Sequence, residues 1–180
     1  MKSLKGHLLI SGGGLYDPNF RHTVVRVGEH NSDGALGVIL NRVLDFTVEE
    51  TVPPLSHLVP AGDHLYEGGP VQPESPVLLA ELAVPELADL LVFGSVGFLI
   101  GDVPAEIRPH IQRARIFAGY SGWGPGQLEG EMAQNAWITD LARVDDVFTD
   151  APDLLWKRVL ERKGPEYKLL SRMPYDPSMN

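Results

Sequence analysis

Apolar residues in this chain come in short runs broken by glycine, proline and aspartate, a pattern that predicts strands more than helices. Gly6 to Ile10 is an apolar strand that stops at Ser11-Gly-Gly-Gly14. Asp17-Pro18-Asn19 reads as a turn or a single helical turn. Thr23 to Gly28 is rich in β-branched residues and predicts a second strand. Asp33-Gly34 is a hairpin signal, and Ala35 to Asn41 returns with Leu36, Val38 and Leu40 on one face and Ile39 on the other. These two strands form an antiparallel pair joined by Glu29 to Gly34. Val52 to Pro76 reads as an irregular, proline- and glycine-rich excursion with at most one short strand near Leu65. Val77 to Leu82 and Leu90 to Ile100 predict further strands, with Gly94 and Gly97 marking a turn or bulge in the second.

Asp102-Val-Pro104 predicts a short helix to about Arg113, with Ile107 and Ile111 on one face. Next come an apolar strand, a glycine-rich turn and a short helix, with Gly119, Gly122, Gly124 and Gly126 in the turn and Trp123 and Trp137 bracketing the segment as core anchors. Ala136 to Val144 predicts the closing strand. The clearest helix follows, with Asp150 as cap, Pro152 in the first turn, a buried stripe of Leu155, Trp156, Val159 and Leu160, and Gly164-Pro165 as the stop. A last turn or two covers Glu166 to Leu170. One domain over residues 1–172 and a flexible tail over 173–180 are expected.

Composition narrows the function classes. The 180 residues carry a net charge of -9 and no cysteine, which removes disulfide and thiolate chemistry. No signal peptide or membrane span is expected, and the cytoplasm is the expected compartment. The acidic balance opposes direct DNA binding, which needs a cationic face. Basic residues do cluster in two places. One is Arg108, Arg113 and Arg115; the other is the last helix and its sequel, where Lys157, Arg158, Arg162, Lys163, Lys168 and Arg172 outnumber Asp153, Glu161 and Glu166.

Several constellations suggest chemistry, each beside a plainer role. Gly119-Tyr-Ser121-Gly-Trp123 is one residue short of a nucleophile elbow, because Trp123 stands where glycine is required. Gly122-x-Gly124-x-Gly126 before a helix resembles a phosphate cradle, but the Rossmann spacing is wrong, and Glu129 and Glu131 would repel an anion. Glu29, His30, Asn31 and Asp33, with Glu129 or Glu131, could meet as a metal or hydrolytic centre only if the chain turned there; otherwise they form a polar hairpin loop. Neither a metal nor another cofactor is expected.

Five ordered stretches resemble the AlgH/YqgE family: Gly6-His-Leu-Leu-Ile10; Leu15 to Val25; Glu29 to Arg42; Gly68-Gly-Pro-Val71; and Gly119 to Glu129 with Asn135-Ala-Trp137. Phe148 and Asp153-Leu-Leu-Trp156 match its C-terminal helix. The resemblance implies an α+β fold, a curled mixed or antiparallel sheet forming a partly open barrel with flanking helices. On function it implies little: one branch carries the label of a transcriptional regulator of alginate synthesis. This chain departs from the family at Ser11-Gly-Gly13, usually Ala-Met-Pro, and at Ser121, usually alanine. The expectation is a non-enzymatic regulatory or binding protein with a polar, glycine-lined site for a small molecule or protein segment. Its candidate residues are Asp17, Asn19, Arg21, His30, Asn31, Asn41, Arg42, Tyr120, Trp123, Gln127 and Glu129. The alternative is a hydrolase or nucleotide-processing enzyme using Glu29, His30 and Glu129.

Overall fold

Ten strands and four short helices are described by a computed structural model that covers residues 1–12, 20–84, 92–93 and 95–174. The strands are β1 (His7–Ser11), β2 (Val24–Asn31), β3 (Gly34–Ile39), β4 (Val43–Thr47), β5 (His64–Glu67), β6 (Val71–Leu82), β7 (Val92–Phe93), β8 (Val96–Ile100), β9 (Ile111–Trp123) and β10 (Trp137–Leu141). The helices are α1 (Val48–Thr51), α2 (Gln127–Ala133), α3 (Val144–Val147) and α4 (Pro152–Lys163). The expected α+β class is observed. The sheet runs β10-β1-β2-β3-β9-β6-β8-β7, with β5 parallel to β9 and β4 on β5, so it is mixed and does not close into a barrel.

β9 holds the sheet together. Its first part pairs with β6 and β5, and its last residues, Ser121 to Trp123, pair with β3. The change of partners is made at Gly119, whose left-handed backbone (φ 70°) bends the strand where the β6 register also slips. The predicted helix from Asp102 to Arg113 is therefore a correction. Only a 3-10 turn forms, at Arg108–His110, and Ile111 already belongs to the strand. Gly119 and Gly122 also lie in β9, so the turn is confined to Gly124–Gly126, with Gly126 (φ 75°) as the N-cap of α2. Val52 to Pro76 is more ordered than expected. It holds a 3-10 helix at Pro53–Leu58, then β5, and β6 begins at Val71 rather than Val77. The β2–β3 connection shrinks to Ser32-Asp33, because Asn31 and Gly34 still pair.

Alternation along the strands builds cores on both faces. Leu8, Ile10, Val24, Val38, Leu79 and Phe117 point to one face, where Leu155, Trp156, Val159 and Leu160 of α4 cover them. Leu9, Val25, Val27 and Ile39 point the other way and meet Trp123, Leu128 and Trp137 around α2. Leu78, Ala80, Leu99 and Ile116 pack with Val48 and Leu55 further along. The α4 stripe and stop at Gly164 are as expected, but the cap is not: Ala151 is the N-cap, with no side-chain bond from Asp150. The expected closing strand ends at Leu141, and Val144 opens α3. The Asp17-Pro18-Asn19 turn, Gly94 and most of the expected tail lie outside the described residues.

Candidate functional site

The segment entering β2 and the residues leaving β3 lie side by side, and α4 packs against them through Trp156. His22 takes a left-handed backbone (φ 47°), and its imidazole lies flat on the indole of Trp156, centroids 3.8 Å apart and planes at 9°. The indole N–H of Trp156 donates to the Ser11 carbonyl at 3.1 Å. Asn41 donates through Nδ2 to the His22 carbonyl at 2.7 Å and accepts the Val24 N–H at 3.0 Å. The stack is thereby fixed to β1, β2 and β3 together. Above it opens a cleft of about 390 Å³, lined by Arg21, His22, Asn41 and Arg42 on one side, by Asp153, Leu154, Trp156 and Lys157 of α4 on the other, and by Ser171 and Met173. Its volume lies in the range of small-molecule sites, roughly 300–1,000 Å³. Burial pushes the His22 imidazole below its ordinary pKa. Arg42 reaches the Arg21 carbonyl at 3.4 Å, and the Nε of Arg21 is buried with no hydrogen-bond partner among the described residues.

The opposite end of β2 carries a second polar group. A bulge at Gly28 shifts the register between Val27 and Glu29, turning His30 into the interior. His30 Nδ1 accepts the Leu4 N–H at 2.9 Å, so the ring proton sits on Nε2, which donates to Glu129 at 2.7 Å. The Glu129 carboxyl is held below the usual range, first by its own backbone N–H and then by His30. Glu29 accepts the His30 backbone N–H at 3.0 Å and lies 4.0 Å from Lys5. Of the three residues of the hydrolase alternative, His30 and Glu129 meet through their side chains, whereas the Glu29 carboxylate is bonded to the His30 backbone rather than to its ring. Both ring nitrogens are nevertheless committed, so His30 has no lone pair free to take a substrate proton. The neighbouring recess of about 430 Å³ is lined by Glu29, Asn31, Asp33 and Trp123, with His30 outside its lining. Among the described residues no group of three His, Cys, Asp or Glu side chains converges to hold a metal ion.

Comparison with known proteins agrees with this architecture. The family model described as AlgH-like matches residues 8–168. The chain belongs to the AlgH-like family. A UPF0301 protein of Streptomyces coelicolor is 36% identical over 187 residues, covering 100% of this chain and 97% of the relative. One from Mycolicibacterium smegmatis is 40% identical over 181 residues, covering 97% and 90%. Among solved structures, a Corynebacterium diphtheriae protein superposes with a TM-score of 0.83 at 26% identity, covering 95% of this chain and 92% of that one. The solution structure of the AlgH protein from Pseudomonas aeruginosa gives 0.73 at 30% identity, covering 96% and 95%.

In this AlgH-like chain the predicted site residues divide between the two ends of β2. His22 and His30, eight positions apart, are separated by roughly 25 Å of extended chain. Arg21, Asn41 and Arg42 line the cleft; His30, Asn31, Trp123, Gln127 and Glu129 gather at the other end. The single surface expected from the sequence is thus two. Asp17 and Asn19 lie outside the described residues. Asn31 is a turn residue, its side chain accepting the Asp33 N–H at 2.8 Å. Gln127 is exposed, accepts the Gly124 N–H at 3.0 Å and donates to Glu131 at 3.2 Å. Trp123 is buried, and its indole N–H donates to Glu131 at 2.9 Å. Tyr120 packs half-buried against the core under α4. Ser121 is fully buried and donates to the Gly68 carbonyl at 3.1 Å, which leaves no exposed nucleophile there.

Sequence reasoning did not assign His22, Trp156 and Lys157 to a site. Trp156 read as core stripe, and Lys157 as one cation among many on a helix. The available signal was the pairing of an Arg-His step before β2 with an Asn-Arg step after β3, since a tight hairpin sets the two side by side.

Proposed function

We propose that this AlgH-like chain is a non-enzymatic binding protein, and that its ligand site is the cleft between the β2–β3 base and α4. The observation that carries the reading is the convergence of Arg21, His22 and Arg42 with Trp156 and Lys157 around one opening whose floor is fixed by the Trp156–Ser11 and Asn41–His22 hydrogen bonds. A hydrogen-bonded aromatic floor with charged side chains at the rim suits a small polar molecule or a short protein segment. We place the protein in the cytoplasm.

A regulatory role of the kind the family resemblance carries would act through such a ligand or a protein partner rather than through duplex DNA. Several cations of the two basic clusters are engaged within the fold. Arg113 pairs with Glu81 and Asp145, Arg162 with Asp140 and Asp146, and Arg115 is buried against the carbonyls of Val147 and Thr149.

The test is a fragment library of uncharged and charged small molecules screened by ¹H–¹⁵N NMR. Saturable shifts should cluster on Arg21, Asn41, Trp156 and Lys157. Saturable binders confined to the Trp123 recess, with none at the cleft, would contradict the reading.

A further inference from the structure

We propose that the cleft takes a small organic molecule through an oxyanion, a carboxylate or a phosphate, gripped by Arg21 and Lys157. This rests on the cleft being the binding site and adds the chemistry of what enters it.

The chain as a whole carries -9, yet among the described residues the charged lining of the cleft is Arg21, Arg42 and Lys157 with Asp153. In a chain this acidic, Arg21 and Lys157 facing one opening mark a place where an anion can dock. Lys157 and Asp153 lie one helical turn apart on α4 and form no salt bridge. The buried Nε–H of Arg21 lacks an acceptor among the described residues, and an oxyanion entering the cleft would supply one. A guanidinium presents its donors as a planar fork that matches a carboxylate or phosphate, whereas an ammonium such as Lys157 adds charge without directional demand. Two features point to an organic molecule rather than a bare ion. His22 and Trp156 give the cleft a flat aromatic floor, and Leu154 and Met173 line it beside the cations. The carboxylate of Asp153 in the lining disfavours a polyanion.

The experiment is an NMR titration of the full chain with three probes: phenyl phosphate, benzoate, and benzamide, the uncharged counterpart of benzoate. Phenyl phosphate or benzoate should move the Trp156 indole and the Arg21 and Lys157 signals saturably. Benzamide should bind about tenfold more weakly or worse, as loss of charge-assisted hydrogen bonds requires. The double variant Arg21→Gln/Lys157→Gln should weaken the anions to the level of benzamide, while its ligand-free Trp156 indole signal stays in place and shows an intact floor. A response to only one anion assigns that headgroup. Benzamide binding the cleft as tightly as benzoate would overturn the anion inference and leave the cleft standing. Anion-induced shifts spread without saturation over Arg158, Lys163 and Arg172 would overturn it as general screening. No response at the cleft to any probe would overturn it as well, while the wider fragment screen separately decides the site.

Discussion

His22 lies flat against Trp156, 3.8 Å between ring centroids, although the two residues stand at opposite ends of the chain. The contact ties the lead-in to β2 to the core face of α4. It also makes one imidazole part of the wall of a cleft. Because burial lowers the His22 pKa, the folded state binds fewer protons than the unfolded chain once pH falls below the ordinary histidine value. Stability is unaffected above about pH 6.5 and is lost as pH falls from there towards the folded-state value. The variant His22→Phe keeps an aromatic face and has no proton to gain. Its melting temperature should fall less than that of the wild type between about pH 7 and pH 5. Equal slopes in thermal unfolding would refute this role.

The two tryptophans that bracket the glycine turn share one acceptor. The indole N–H of Trp123 and that of Trp137 both donate to Glu131 Oε2, at 2.9 and 2.7 Å. Removing the carboxylate leaves two partly buried donors unpaired. Glu131→Ala should therefore cost about 2–3 kcal/mol in urea unfolding, and Glu131→Gln distinctly less. Truncating Trp123, which is buried with Leu128 and Trp137, should cost about 3–5 kcal/mol. Additive effects in the Trp123→Ala/Glu131→Ala double variant would show that the shared carboxylate is not what couples them.

The N-terminal segment is fastened through His30. Ser3 donates to the His30 carbonyl at 2.9 Å, and the Leu4 N–H donates to its ring. His30→Ala should raise amide exchange at Leu4 sharply, whereas Glu129→Gln, which still offers His30 an acceptor, should leave it protected. Fast Leu4 exchange in the wild type would contradict this account.

Gln127 and Ser121 test the division between scaffold and site. Gln127→Ala should cost under about 1 kcal/mol and leave binding at the cleft unchanged, since its bonds stay within its own turn and helix. Ser121→Ala should cost about 1 kcal/mol, one buried hydrogen bond to a carbonyl that also accepts the Ile39 N–H. Loss of cleft binding in Gln127→Ala, with the fold intact, would return that residue to the site.

The hairpin and the terminal helix were legible because their periods are simple. Val38 and Leu40 against Ile39, and the stripe from Leu155 to Leu160, declare buried faces without outside help. The helix expected after Pro104 failed because Ile107 and Ile111 suit either period. A long strand partner, β6, captured Ile111 and its successors. The ordered start of β6 at Val71 was hidden by Pro73 and Pro76, which local rules read as loop. For the site, Arg21, Asn41 and Arg42 were within reach as polar residues ending apolar strands. Their separation from His30 and Glu129 was not, because it depends on which end of β2 each residue occupies in the assembled sheet. Lys157 gave no local signal, since only tertiary packing turns one side of α4 towards the cleft.

Whether the cleft over the His22–Trp156 stack is where this protein binds its ligand can be read from that stack itself. The Trp156 indole N–H and His22 ring signals would be monitored while fractions of a small-molecule extract from the producing cells are added. At least one fraction should shift both signals saturably. Signals that stay fixed against every fraction, while resonances elsewhere shift saturably, would contradict the cleft as the site.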